Sequence, residues 1–177
     1  MNVFFATHDG HTALIASRLA EALEKRGVEA KLRDLAHDFP SAEEIQSPAP
    51  CVLLAAIRYG FHLPAATRLL RRLARTNAKP FALISVNLTA RKPQKRTATT
   101  NAYLRHWIER TGALPVYAEA LAGKLDYPRY RAFDRLMIRL IMTITGGPTD
   151  PKAVVDFTPW ERIDALADKI AEMGKIS

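Results

Sequence analysis

Short apolar runs alternate with amphipathic segments along most of the 177-residue chain. The clearest runs, residues 51–57 and 81–86, are almost continuously apolar, which is typical of strands buried on both faces. Between them, Leu69, Leu70 and Leu73 have the spacing of a helix that buries one side. Because crossover helices cover both faces of a parallel sheet, this alternation favours an α/β fold.

The order of elements is consistent with one doubly wound domain spanning residues 1–177. We expect a five-stranded parallel sheet between two helical layers, with a helical insert at about 123–150 that splits the last strand. The predicted strands are 2–6, 28–35, 51–57, 81–86, 114–121 and 153–157, and the predicted helices are 13–25, 64–75, 99–110 and 159–173.

Composition narrows the classes of function. The single cysteine, Cys51, excludes an internal disulfide and lies in an apolar run, which indicates a buried thiol in a reducing cytosol. No signal-like start or membrane-length apolar run is present, so we expect neither secretion nor a membrane span. The net charge of +8 is concentrated in 68–75, 91–96 and 124–139 and favours an anionic partner: nucleic acid, acidic lipid or a carboxylate-bearing substrate.

The segment THDGHT follows the first predicted strand, where α/β folds bind ligands at a helix N-terminus. Thr7 and Thr12 offer hydroxyl groups, and Gly10 permits a close backbone approach, as a phosphate cradle requires. No dinucleotide or P-loop motif is present, which favours a mononucleotide. An ordinary turn remains an alternative. A metal pair at His8 and His11 lacks further ligands nearby, so we expect no metal.

Four segments carry a family resemblance: THDGHT, AAIRYGFH, SVNLTARKPQKRTATTNAY and LDYPRYRAFDRLMIRLIMTITGGPTD. Together they resemble the menaquinone-dependent protoporphyrinogen IX dehydrogenases, which have a flavodoxin-like fold. The resemblance covers nearly the whole chain. It implies non-covalently bound FMN, oxidation of protoporphyrinogen IX to protoporphyrin IX in haem biosynthesis, and electron transfer to menaquinone or ubiquinone. Asp9 departs from the usual flavodoxin phosphate loop, where a hydroxyl residue stands.

The resemblance also implies a cofactor site. The phosphate is expected at Thr7, His8, Asp9, Gly10, His11, Thr12 and Ala13. The ring is expected between Arg58, Tyr59 and Gly60 on one side and Ser85, Val86, Asn87 and Leu88 on the other, with Gly123, Gly146 and Gly147 completing the site. Tyr59 is the expected stacking partner, although an ordinary strand-end tyrosine fits the residues equally well. We expect His62 to be a surface histidine rather than a proton acceptor.

Two basic segments are candidates for binding the substrate carboxylates. The first is a loop at 90–96, kept from helix formation by Pro93, which contains Arg91, Lys92, Lys95 and Arg96. A position near the flavin phosphate and a solvated loop without a partner remain alternatives for it. The second is the insert helix, in which Arg131, Arg135 and Arg139 form a stripe beside an apolar side. Such a helix fits an anionic membrane interface or a cover for an apolar substrate, but also fits packing on the protein's own core.

From the family resemblance we expect peripheral attachment to the cytoplasmic face of the bacterial inner membrane. A flavodoxin-type electron carrier and a related nicotinamide or quinone reductase remain alternative functions. Nucleic acid is not an expected partner, because the aromatic residues do not interleave with the basic ones along one surface.

Overall fold

A computed structural model of the protein describes residues 1–76 and 80–175. The strands are β1 Asn2–Ala6, β2 Lys31–Asp34, β3 Cys51–Arg58, β4 Phe61–His62, β5 Phe81–Val86, β6 Tyr117–Leu121, β7 Lys124–Asp126 and β8 Val154–Asp156. The helices are α1 His11–Glu24, α2 Ala42–Gln46, α3 Pro64–Thr76, α4 Ala102–Thr111, α5 Ala132–Thr145 and α6 Glu161–Lys175.

The central sheet has the strand order β2-β1-β3-β5-β6, and these five strands are parallel. The predicted α/β class and the five-stranded parallel sheet are therefore confirmed. The short strand β4 adds an antiparallel hairpin at the end of β3. Because β2 and β3 lie on opposite sides of β1, the loops after β1 and β3 diverge and leave a crevice at the carboxyl edge of the sheet.

The core explains why the central strands are apolar throughout. In β3, Val52 and Leu54 pack with α1 and α6 on one face, whereas Leu53 packs with α3 and α4 on the other. All three side chains are fully buried. Alternate residues of one strand thus meet different helical layers. Both faces of the strand are therefore buried, and both sets of alternating residues are apolar. The three-layer arrangement follows from this packing.

The insert differs from the expected arrangement. Strand β8 pairs antiparallel with β7 in a separate two-stranded sheet, and the described residues do not confirm a split last strand of the main sheet. Helix α5 lies between these two strands. The buried side chains of Leu125, Tyr127 and Met142 form a small core of their own beneath the insert. This local core lets the segment fold without adding a strand to the main sheet.

The predicted loop at 90–96 is more ordered than expected. It contains two short 3₁₀ helices, Leu88–Arg91 and Pro93–Lys95. The side chain of Asn87 accepts a hydrogen bond from the backbone N–H of Ala90 at the start of the first. The second begins at Pro93, whose fixed φ is compatible with a first helical turn. Proline therefore prevents a long helix here but permits single turns.

Candidate cofactor and substrate site

Four loops meet at the carboxyl edge of the sheet. A Cβ atom placed on Gly123, just after β6, would lie 3.1 Å from Cγ1 of Val86 at the end of β5. The same atom would lie 3.8 Å from the ring of His11 at the start of α1. Gly123 is itself buried. A side chain here would displace these neighbours, so glycine allows the β6 loop to approach the helix that follows β1.

The loop between β1 and α1 has the geometry of an anion cradle. Gly10 has φ 84°, a left-handed conformation that favours glycine, and its N–H donates to the Thr7 hydroxyl at 3.0 Å. Because the Thr7 oxygen accepts this bond, its own hydrogen remains free to donate. Helix α1 has no side-chain cap and no acidic residue in its first turn. Its first backbone N–H groups are therefore available to an anion.

Asp9 does not cap helix α1. Its exposed carboxylate accepts no hydrogen bond from the part of the chain that the structure describes, and His8 lies 3.8 Å away. Burial is the main cause of the raised pKa of Tyr130, and the charge of Asp9 adds to it. Asp9 also contributes to the raised pKa of Arg58, whose chief cause is a hydrogen bond to Tyr59. Asp9 thus belongs to the gap between the phosphate loop and the insert.

The turn between β3 and β4 presents an aromatic ring to solvent. Tyr59 has φ 51° and Gly60 has φ 81°, so two successive residues are left-handed, as in a tight two-residue hairpin turn. Tyr59 is the one non-glycine residue with positive φ among residues 1–76 and 80–175. Its side chain is 55% exposed. A strained backbone that holds an aromatic ring in the open is typical of a ligand site.

The β3–β4 turn is attached to the insert helix. The Arg58 guanidinium donates to the carboxylate of Asp134 at 2.9 Å, and Asp134 is 9% exposed. The rings of Tyr59 and Phe133 lie 6.2 Å apart. Phe133 was expected only as part of the apolar side of the insert helix. Asp134 was not singled out from the sequence, because a contact between positions 58 and 134 leaves no local pattern.

The loop after β5 has its polar groups turned inward. Asn87 donates to the Ser85 hydroxyl at 2.9 Å, and Asn101 donates to the Asn87 carbonyl oxygen at 3.2 Å. His62 Nε2 lies 2.7 Å from the same Ser85 hydroxyl. This buried network fixes the loop at residues 85–88, and the cofactor-binding roles of Ser85, Val86, Asn87 and Leu88 stay predictions.

The expectation that His62 is a surface histidine is wrong. The residue is 7% exposed, and its ring stacks on that of Trp107 at 3.8 Å with an 11° angle between planes. The antiparallel pairing of β4 with β3 turns this side chain inward. Burial lowers its pKa to about 3, so the imidazole is neutral near pH 7.

The segment between β8 and α6 closes over His11, which the sequence did not reveal. His11 Nε2 lies 2.6 Å from the Thr158 hydroxyl and 3.6 Å from a carboxylate oxygen of Asp156. Trp160 meets the His11 ring edge to face at 5.8 Å. Burial lowers the pKa of His11, and the charge of Asp156 opposes this shift. These three residues, about 150 positions away, fix the first residue of α1.

Several residues predicted for substrate or cofactor binding have partners within the protein. Arg91 donates to the backbone oxygens of Leu88 and Thr145, and Arg96 donates to that of Ala90. Gly146 and Gly147 form the end of α5, where the N–H of Gly147 donates to the Met142 carbonyl at 2.8 Å. Lys92 and Lys95 are exposed. The contacts of Arg91 and Gly147 attach the insert, and the binding roles of these residues stay predictions.

Helix α5 presents its apolar side to solvent. Arg131 and Arg139 are exposed on this helix, whereas Arg135 is partly buried and donates to the Tyr130 carbonyl at 3.3 Å. The expected apolar stripe is largely outside the protein core, with exposed fractions from 36% to 76% at Phe133, Leu136, Met137, Leu140 and Ile144. The buried positions are Asp134 and Met142. Packing on the protein's own core therefore does not account for this stripe.

No three His, Cys, Asp or Glu side chains in residues 1–76 and 80–175 are grouped so as to hold a metal ion. In the same ranges, no helix combines the length and apolar character needed to cross a membrane.

The chain is similar in sequence to known proteins. Residues 2–152 match the family model described as a flavodoxin domain. The chain is 40% identical over 177 residues to the protoporphyrinogen IX dehydrogenase [quinone] of Escherichia coli K12, covering 97% of this chain and 94% of the relative. The chain belongs to the protoporphyrinogen IX dehydrogenase [quinone] family. A relative of the same name from Leishmania major is 37% identical over 97% of this chain and 74% of its own length.

Solved structures show the same fold at low sequence identity. A flavodoxin from the domain Archaea superposes with a TM-score of 0.53 at 11% identity, over 99% of each chain. Flavodoxin 1 from Bacillus cereus gives a TM-score of 0.54 at 13% identity, over 97% of this chain and 96% of that one. The predicted flavodoxin-like fold and membership of an oxidoreductase family are confirmed.

Proposed function

We propose that this protein binds FMN and oxidises protoporphyrinogen IX to protoporphyrin IX, with a respiratory quinone, menaquinone or ubiquinone, as electron acceptor. The proposal rests on relatives named protoporphyrinogen IX dehydrogenase [quinone], which align over nearly the whole chain. The observation in the molecule itself that carries it is the uncapped start of α1 beside an exposed Tyr59. An anion cradle and an open aromatic ring at one sheet edge suit a flavin mononucleotide.

The residues present fit FMN. The first N–H groups of α1, together with the hydroxyls of Thr7 and Thr12, would hold its phosphate. Tyr59 would cover one face of the flavin ring, and the left-handed Gly60 allows the turn to approach it closely. The exposed Asp9 carboxylate does not cap α1, so the first N–H groups of the helix stay available to the phosphate.

Bound FMN would supply a two-electron acceptor, so three rounds are needed for each macrocycle, with three quinones reduced to quinols. The protein's own part is to orient the bound molecules and to exclude water from them. The Arg58–Asp134 ion pair holds the Tyr59 turn against the insert, and the network of His62, Ser85 and Asn87 holds the opposite loop. His62, with a pKa of about 3, is a fixed neutral partner rather than a proton store.

We further infer that α5 rests in the membrane surface, which would place the protein peripherally at the cytoplasmic face of a bacterial inner membrane. Its exposed stripe, defined above from Phe133 to Ile144, offers apolar area, and Arg131 and Arg139 offer positive charge. Two cations near an acidic leaflet contribute about 1 kcal/mol each, so apolar burial must supply most of the affinity. A quinone acceptor dissolved in lipid gives this contact a purpose.

Reconstitution tests the proposed reaction. The purified protein is loaded with flavin, the bound flavin is identified by mass, and porphyrin fluorescence is followed anaerobically with protoporphyrinogen IX and a quinone analogue. FMN in the protein and quinone-dependent porphyrin formation are expected. Rapid reduction of the flavin by a nicotinamide, without porphyrin formation, would instead identify a nicotinamide-linked reductase.

A further inference from the structure

A second large concavity lies between α3 and α4, on the sheet face opposite α1. This groove has a volume of about 820 Å³, within the range of small-molecule sites. Its walls carry six arginines and no Asp or Glu: Arg68, Arg71, Arg72, Arg75, Arg105 and Arg110. None of the sequence-predicted site residues except Gly60 lines it.

Most of this positive charge is uncompensated. Of the six arginines, Arg105 is the one with a carboxylate partner in the described part of the chain, Glu109 at 3.9 Å on the exposed surface. Arg68 and Arg72 pack over the ring of Phe39, which orients them without neutralising them. An anion that enters the groove therefore meets cations that are almost free of competing carboxylates. Arg71, Arg75 and Arg110 therefore form an unpaired cationic set.

The groove begins at the turn assigned to the flavin. A Cβ atom on Gly60 would lie 3.8 Å from the ring of Tyr103, which lines the groove. Next in the chain, Phe61 is 62% exposed, and the guanidinium of Arg110 lies 5.9 Å from its ring centre. An exposed aromatic surface at Tyr59 and Phe61 thus continues into a lining of arginines. That sequence of surfaces suits a flat apolar molecule with carboxylates along one edge.

We propose that the α3–α4 groove binds the carboxylate side chains of the tetrapyrrole, with Arg71 and Arg110 as principal partners. This inference rests on the proposed function for the identity of the ligand. A tetrapyrrole with carboxylates on one edge places its ring against Phe61 while those carboxylates reach the arginines. Arginine suits this role because its planar fork binds carboxylates bidentately.

The test compares two charge-matched double variants in detergent with a water-soluble quinone analogue. Arg71→Gln with Arg110→Gln removes two groove cations, and Lys25→Gln with Lys31→Gln removes two exposed cations outside it. The groove variant should raise KM for protoporphyrinogen IX about tenfold or more, the loss expected for charge-assisted hydrogen bonds. Its kcat and its KM for quinone should stay within about twofold, and the control should match the unaltered protein.

Three outcomes would overturn the inference. These are an unchanged KM in the groove variant, an equal rise in the control, and a defect that appears only with anionic vesicles, which would identify a lipid-docking surface. If the unaltered protein forms no porphyrin, the proposed function fails separately, and direct titration of the FMN-loaded protein with protoporphyrin IX and its dimethyl ester decides. Preference for the diacid, lost in the groove variant alone, supports the groove, and equal binding to both variants refutes it.

Discussion

Tyr59 has a backbone conformation that opposes folding, and its ring is 55% exposed, with a 3.3 Å hydrogen bond from Arg58 to its hydroxyl. Its φ of 51° costs roughly 1 kcal/mol for a bulky residue, and the open turn with Gly60 requires it. The hydrogen bond from the neighbouring Arg58 to Asp134 holds the turn in this conformation. Such strain at an exposed aromatic residue is explained by a ligand that the ring covers.

Replacing Tyr59 by glycine separates the two effects. The Tyr59→Gly variant should raise the free energy of unfolding of the flavin-free protein by about 0.5–1 kcal/mol, because left-handed φ is permitted for glycine. It should weaken FMN binding about tenfold, because the stacking face is lost. Denaturant unfolding and flavin fluorescence titration measure the two quantities. Tyr59→Phe is the control and should keep the affinity within about threefold; undiminished affinity in Tyr59→Gly would contradict the stacking role.

His62 links stability to pH. Its folded pKa of about 3 lies below its unfolded value near 6.5, so only the unfolded chain takes up a proton between these values. The stability that neutral, buried His62 contributes is fully present above about pH 6.5 and is lost as pH falls toward 3. Between pH 7.5 and pH 5 the free energy of unfolding should fall by about 2 kcal/mol more in the native protein than in His62→Gln. Urea unfolding at both pH values measures this, and equal losses would show that His62 is not buried.

The residues themselves indicated a phosphate loop at 7–13, with an ordinary turn as the alternative, and Tyr59 was expected at the site through the family resemblance. The buried environment of His62 was not predicted. The sequence around His62 has no apolar alternation, and its burial arises from pairing with β3 and stacking on Trp107. The partners of His11, Asp156 and Thr158, are equally distant in sequence. A single sequence contains no signal for such contacts.

At the scale of elements, α5 is an amphipathic helix with its apolar side outward. The 3.6-residue periodicity predicted the helix correctly, but it could not show which side faces the protein. The helix is held at both ends, by Arg58 on Asp134 and by Arg91 on Thr145, over the small core of Leu125, Tyr127 and Met142. It is therefore a docked helix with an open apolar face.

Substitutions on that face test the membrane contact. The Leu136→Glu/Leu140→Glu variant should change stability by less than about 0.5 kcal/mol, since both side chains are exposed, and should still bind FMN. Its affinity for anionic lipid vesicles should fall at least tenfold, because apolar burial is lost and negative charge is added. Vesicle co-sedimentation measures this.

The matched control is Leu114→Glu/Val116→Glu, which alters two exposed apolar residues that precede β6. It should bind vesicles like the unaltered protein. An equal loss in both variants would show that net charge, rather than the α5 face, governs the contact.

Arg91 should act as the anchor of the insert. The Arg91→Ala variant removes donors to the Thr145 and Leu88 carbonyls and should destabilise the end of α5 by about 1–3 kcal/mol. Amide hydrogen exchange should accelerate in residues 142–147 and remain unchanged in the loop at residues 7–13. Lys92→Ala, a neighbouring exposed position, is the control; matching exchange rates in the two variants would contradict the anchoring role.

For the whole molecule, the β3–β4 turn lies between the surfaces proposed to act. Its Tyr59 approaches Phe133 of α5 and its Gly60 lies beside Tyr103 of the arginine groove, while the anion cradle of α1 follows the neighbouring strand β1. The alternation of elements was sufficient to predict the parallel sheet and its layers. It was insufficient for the β7–β8 pair, because three-residue strands are too short for a periodic pattern.

The net charge of +8 predicted an anionic partner, and the structure shows which elements carry part of that charge. Three helices of the molecule carry part of it: α3 and α4 along the groove, and α5 beside its apolar face. Charge on α3 comes from residues 68–75, which the sequence showed to be basic without showing that they face α4.

The proposed reaction is tested most directly by anaerobic mixing of the FMN-loaded protein with protoporphyrinogen IX in a stopped-flow instrument, without quinone. We expect flavin absorbance to bleach as porphyrin fluorescence appears, and we expect added quinone to restore the oxidised flavin and make the reaction catalytic. Bound FMN that stays oxidised in the presence of porphyrinogen would contradict it.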